Sequence, residues 1–301
     1  MTHMPKMSRT LITRLPLLLC LAAPWASATR PIEDTIFKAS MPHEQLTSGT
    51  KVRVHYVSRR VVGAMGLRDT VPVLQKQVRE CVASLQREHR PVNPPTAWPE
   101  DSMHENRTDS YYAKNRGITY EHGVYFSVNQ ADCSLLELES RTARLQSTKG
   151  VCEIDLIKKT AHGVCDAKGH ADAAYMAPVA PDPTFIAERI KTNPGLAALA
   201  ALGGNAPLVP KPTGASKTID GVKCEVTVGG GPFAGTLCFM RGGSFVPSAM
   251  AVDSGEIIMD GDLGQHGLIT GRRAKLDALV SDAVFTPYLG QGFSVTAGEG
   301  Q

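Results

Sequence analysis

The cysteines constrain this chain more than any other feature. Seven are present. Cys20 lies in an N-terminal stretch that reads as an export signal, which leaves Cys81, Cys133, Cys152, Cys165, Cys224 and Cys238 for the mature protein. An even set in an exported chain predicts up to three disulfides and a fold stapled across its elements. Cys224 and Cys238 sit in two strand-like runs joined by Gly229-Gly230-Gly231-Pro232. In a hairpin they come within bridging range, closing a loop of about 14 residues worth ~3 kcal/mol in a chain-entropy estimate. The other four then pair among themselves. Cys133, Cys152 and Cys165 read as neighbours in a meander, and Cys81, on a helix, joins one of them to the sheet.

The export reading rests on three parts. Lys6, Arg9 and Arg14 give a basic start, residues 15–23 an apolar run broken only by Pro16, and Ala26-Ser27-Ala28 a cleavable small-residue end. Residues 1–28 are therefore expected to be removed, placing the protein in a periplasm or outside the cell. A lipid-anchored form needs a small residue before Cys20, and Leu19 stands there. The apolar run at 197–202 is too short to cross a bilayer and ends at Gly203-Gly204. The mature chain is read as soluble, with no transmembrane segment.

Charge narrows the partners. The chain has 32 basic and 29 acidic residues, and removal of Lys6, Arg9 and Arg14 leaves the two balanced. A near-neutral body excludes nucleic-acid binding by phosphate neutralisation.

The apolar periodicities predict an α+β fold: a curved antiparallel sheet, built as a meander, partly covered by two or three helices and linked by disulfides. Alternation predicts strands at 51–57, 118–128, 133–145, 151–157, 161–164, 219–228 and 236–240, with shorter ones at 245–252 and 256–259. Val71, Leu74, Val78, Cys81, Val82 and Leu85 recur at helical spacing over 70–89. Asp182-Pro183 and Asn193-Pro194 open two further short helices. Leu276, Leu279, Val280, Ala283 and Val284 favour a last helix ahead of Pro287. Residues 29–50 read as an extended leader. Residues 91–117 read as a long polar loop whose rings, Trp98, Tyr111 and Tyr112, either contact a partner or pin the loop to the body. The expected organisation is a signal at 1–28, a helix and antiparallel strands at 29–180, a lid or linker at 181–217, and strands with a helix at 218–301 completing the same fold.

The run Ile219-Asp220-Gly221-Val222-Lys223-Cys224 resembles segments of periplasmic lipid and lipoprotein carriers. Such proteins hold an apolar concavity of a curved sheet under helices. The likeness spans those residues alone and implies a fold analogy, not an activity.

Candidate chemistry is sparse. His162, Cys165 and His170 have the spacing His-x-x-Cys-x-x-x-x-His and offer ligands to zinc, at the cost of a thiol that a disulfide would take. Asp260 and Asp262 alternate as in a calcium loop, but the fifth and twelfth positions hold Gly264 and Gly271. His55, His122, His162, His170 and His266 are possible bases with no nucleophile tied to them by sequence. No Cys-x-x-Cys, Walker lysine or Gly-x-Ser-x-Gly occurs, and no cofactor is implied. Three functions follow. The foremost is an exported non-catalytic protein that binds an apolar ligand or a protein partner in the cell envelope. The others are a structural component of an envelope assembly and a zinc-binding protein or metal-assisted hydrolase using His162 and His170.

Overall fold

Antiparallel pairing between distant strands organises this protein. The computed structural model describes residues 36–63, 71–98, 104–175, 192, 211–229, 235–247, 257–264 and 267–297. The export signal expected at 1–28, the helices expected at 182–191 and 194–202 and most of the strand expected at 245–252 lie outside them.

A short helix α1 (Pro42–Gln45) leads into β1 (Lys51–Val62), followed by α2 (Val71–Arg87). Then come β2 (His104–Tyr112), β3 (Arg116–Val128), β4 (Leu135–Ser147), β5 (Gly150–Asp155) and β6 (Thr160–Gly163). A third helix, α3, covers Ala167–Ala171. The remaining strands are β7 (Lys211–Ile219), β8 (Val222–Gly229), β9 (Gly235–Met240), β10 (Ile257–Asp262), β11 (Leu268–Ser281) and β12 (Ser294–Ala297). All twelve join one sheet in the order β12-β6-β5-β4-β3-β2-β1-β11-β10-β9-β8-β7.

This overturns the expected curved antiparallel meander partly covered by helices. The sheet is open, not curled or closed, and it is mixed, because β12 runs parallel to β6. Two local readings failed for one reason. The helix expected over 276–284 is instead the end of β11, followed by a 3-10 turn at Asp282–Phe285. Its backbone groups pair with β1 from Lys51↔Ser281 to Val62↔Leu268, which outweighs a helical spacing of leucines. A bulge absorbs the misfit, with Asp277 in a left-handed conformation at φ 55°. Likewise the polar loop expected over 91–117 contains β2, which lies between β1 and β3. In the carrier-like run, Asp220 and Gly221 form the left-handed turn between β7 and β8.

Successive residues of a strand face opposite sides. Val54, Tyr56, Tyr111, Ile118, Tyr120, Leu145, Ile154 and Val280 cluster on one side, here the front, under Met41, Val284, Phe285 and Tyr288. Their neighbours Val57 and Tyr112 join Val226, Met240, Ile257, Met259 and Ala274 on the back. Each large side chain so buried contributes about 1.5–3 kcal/mol. The apolar stripe of α2 packs Leu74, Val78 and Leu85 against Val128 at the far end of β3, with Trp98 partly buried beside them.

Three disulfides tie these parts together. Cys81–Cys133 fastens α2 to the turn after β3, Cys152–Cys165 joins β5 to the segment after β6, and Cys224–Cys238 bridges β8 and β9. Such bonds persist in chains that mature outside the reducing cytoplasm. Among the described residues, no helix is long and apolar enough to cross a membrane.

Candidate functional site

The unusual chemistry of this fold lies on β2. A strand in the interior of a sheet is normally apolar, yet Glu105, Arg107, Thr108, Asp109 and Ser110 are all buried. Alternation divides them. Glu105, Arg107, Asp109 and Tyr111 face front, and Thr108, Ser110 and Tyr112 face back.

The back set is closed by Arg59. Its Nη1 donates to the Ile258 carbonyl at 2.9 Å, its Nη2 to Ser110 Oγ at 2.8 Å and its Nε to Thr108 Oγ1 at 3.2 Å. A guanidinium with each nitrogen engaged is a structural clasp.

The front set is different. Register places Arg60 opposite Arg107, Arg107 opposite His122, and His122 opposite Arg141. Four basic side chains thus form one row across β1 to β4. Like charges directly opposite each other destabilise a sheet. Carboxylates relieve part of that cost. Arg60 pairs with Glu105, Arg107 Nε lies 2.8 Å from Asp109 Oδ2, and Glu139 Oε1 lies 2.6 Å from His122 Nε2 and 2.8 Å from Arg141 Nε. Burial lowers the His122 pKa more than its bond to Glu139 raises it. Arg107 is only 3% exposed, and its Nη2 has no hydrogen-bond partner among the described residues. A buried donor left without an acceptor costs about 1–3 kcal/mol, more on a charged group.

Residues 36–46, part of the stretch read from sequence as an extended leader, cross this face as a strap. Ile36 is buried, and Phe37 lies under the Arg60 and Arg272 guanidinium groups at 5.7 and 4.5 Å. Arg107 Nη1 donates to the carbonyls of Ala39 and Ile36. Met41 reaches the core, where Tyr56 donates to its sulfur at 2.6 Å and lies 3.2 Å from Asp109 Oδ1. His43 Nδ1 is 2.8 Å from Tyr111 Oη. The Tyr56 and Tyr111 rings stack at 4.8 Å, and Tyr120 meets Tyr111 edge-on at 6.1 Å. Burial drives all three phenols well above the usual tyrosine range, so they stay protonated as donors. Burial also lowers His43, which keeps Nδ1 available to accept from Tyr111.

The strap covers the front face incompletely. A cleft of about 320 Å³ opens beside it, floored by Arg107, Tyr120, His122 and Arg141 and walled by Pro42, Leu46, Leu156, Pro287 and Phe293. One side of the cleft is polar, with Arg107 and Arg141 beside the carboxylates of Asp109 and Glu121, and the other is apolar. A second, polar hollow of about 590 Å³ lies on the far side of α1, beside His43, Glu44, Arg273 and Lys275.

The residues singled out from sequence are placed elsewhere. His170 is fully buried, with Nδ1 2.7 Å from Ser147 Oγ and Nε2 2.6 Å from the Val164 carbonyl. Both ring nitrogens are engaged, so this side chain is a structural link. His162 is exposed on β6 opposite Glu153, and Cys165 is in its disulfide. Asp260 pairs with Lys217 Nζ, and Asp262 accepts from Gly264 N at 2.8 Å. Among the described residues no group of three or more His, Cys, Asp or Glu side chains is placed to hold a metal ion. His266 lies outside them.

His55 does meet a serine and a carboxylate, but in the wrong order for nucleophilic catalysis. Ser244 donates its hydroxyl to Asp277, and His55 Nε2 is 2.6 Å from the Phe245 carbonyl. His55 Nδ1 accepts from Asp277 N at 3.2 Å, and its ring stacks on Phe245 at 4.0 Å. The imidazole cannot take the serine proton from there. The arrangement clasps residues 241–247 to the sheet.

Sequence reasoning missed Arg107 and Asp109 because charge in 91–117 was read as exposure, and it did not single out Arg141 within the strand expected at 133–145. The alternation of Glu105, Arg107, Asp109 and Tyr111 against Thr108, Ser110 and Tyr112 was the available signal. No protein-family model, curated protein or solved structure matches this chain.

Proposed function

We propose that this is a non-catalytic binding protein of a periplasm or extracellular space, and that its ligand is a small molecule with an apolar body lying in the cleft between the strap, Phe293 and the strands β2–β4. The cleft carries this reading. It combines apolar walls with a few convergent polar groups, as ligand sites do, and its 320 Å³ falls at the small end of their range of about 300–1,000 Å³. The three disulfides support the compartment. His55 and His170, each with both ring nitrogens engaged, support a binding role over acid–base chemistry.

The test uses the mature chain from residue 29 and the neutral fluorophore phenylnaphthylamine. Saturable, blue-shifted emission is expected, and Leu156→Asp, which puts a charge on the apolar wall, should abolish it with the fold intact by circular dichroism. Absence of saturable binding in the parent protein rejects the proposal.

A further inference from the structure

We infer that the cleft receives the anionic oxygen head of a single-chain amphiphile, with Arg107 and Arg141 as donors on either side of His122. This deepens the proposed function and depends on the cleft being a binding site.

Three observations meet here. The first is the row itself. Arg107, His122 and Arg141 are direct cross-strand neighbours, and all three line the cleft. Burial disfavours the charged form of His122, so the row presents two guanidinium groups, one strand apart, to an anion in the cleft.

The second is how the carboxylates engage the arginines. Asp109 and Glu139 both approach at Nε, at 2.8 Å each. Among the described residues Arg107 Nη1 is taken by the Ile36 and Ala39 carbonyls, no acceptor meets its Nη2, and the only partner of the Arg141 side chain is Glu139, at that Nε. Terminal guanidinium nitrogens form the fork that matches a carboxylate or a phosphate. The side chain of Arg107 is more than nine-tenths buried, and that of Arg141 is 51% exposed. One donor is therefore preset, and the other reaches the mouth of the cleft.

The third is the opposite wall. Leu46, Leu156 and Phe293 are partly buried against the front core and leave an apolar lining beside the basic row. A volume of about 320 Å³ suits one aliphatic chain and not a two-chain lipid.

The experiment displaces phenylnaphthylamine from the mature protein with decanoate, decyl phosphate or decanol. At least one anion should displace the probe at a concentration about tenfold or more below that of decanol, the effect of one charge-assisted hydrogen bond. Whichever anion is stronger names the head, carboxylate or phosphate. Arg141→Gln, at a half-exposed position that leaves the core untouched, should remove that preference and leave decanol displacement unchanged. Decanol matching both anions, or an Arg141→Gln protein that keeps the full preference, overturns the head assignment while the binding reading stands. A parent protein that never binds the probe overturns both.

Discussion

The front and back of the sheet solve the same problem in opposite ways. Around Cys224, Val226, Met240, Ile257 and Met259 the back is an apolar core, stapled by Cys224–Cys238. There the guanidinium of Arg59 has every nitrogen bonded. The front, over β2 to β4, buries Arg107 and Asp109 beside three tyrosines and leaves a guanidinium nitrogen without an acceptor among the described residues. A buried ion pair seldom stabilises more than apolar residues of equal volume would. A chain able to pack the back with Met, Ile and Val had the same means available for the front. The contrast supports the proposed reading, in which the back serves stability and the front recognition.

The largest effect should come from breaking the front pair. Arg107→Ala leaves Asp109 buried without its cation and should cost about 3–5 kcal/mol in urea unfolding. The double change Arg107→Met with Asp109→Leu should recover most of that loss. If the double variant is no more stable than the single, the front pair contributes to stability as the back does, and the contrast fails.

Next is the staple on the back. Cys224→Ser with Cys238→Ser should cost about 3 kcal/mol, close to the loss on removing Cys152–Cys165, whose span of 13 residues nearly equals the 14 here. Cys81–Cys133 spans 52 residues and should matter by about 1 kcal/mol more. Equilibrium unfolding of the three double variants ranks them.

A smaller loss is expected at Gly243. Its φ of +85° suits glycine, and a Cβ would lie 2.2 Å from His55 Cε1. Gly243→Ala should cost about 1–3 kcal/mol, lowering the thermal midpoint. Because this clasp is on the back, binding in the front cleft should be unchanged.

The least effect is on pH dependence. His43 and His122 both have pKa values lowered from 6.5, chiefly by burial. The unfolded chain then takes up protons that the folded one refuses. Stability is complete above about pH 6.5 and declines as pH falls toward the lowered folded values. His43→Gln should flatten that decline measurably. A profile of unfolding free energy with no slope between pH 6.5 and 5 would remove the two histidines from the account.

Much of the back and of α2 was legible. The helical stripe ending at Leu85, the alternation of Val222, Cys224 and Val226, and the Gly-rich link to β9 announced their elements, because local periodicity and burial agree there as far as Val226, while Val228 is exposed. On the front, β2 was not legible. Glu105, Arg107 and Asp109 look like loop residues to any reading that equates charge with solvent. Their burial depends on Arg60, Tyr56 and the strap, which are far away in sequence. The end of β11 misled in the same way, since Leu276, Leu279 and Val280 fit a helix until β1 presents its edge.

By itself, then, the order of residues determined which stretches had an apolar stripe or an alternating face, because those properties reside in neighbours a few positions apart. Tertiary structure alone decided that β1 would join the two halves into one open sheet, that a polar segment would become an interior strand, and that two arginines would flank a histidine at a cleft. Those outcomes depend on pairing between segments separated by up to two hundred or so residues. There, the backbone hydrogen bonds and buried charges of one strand are satisfied by partners that no local pattern specifies.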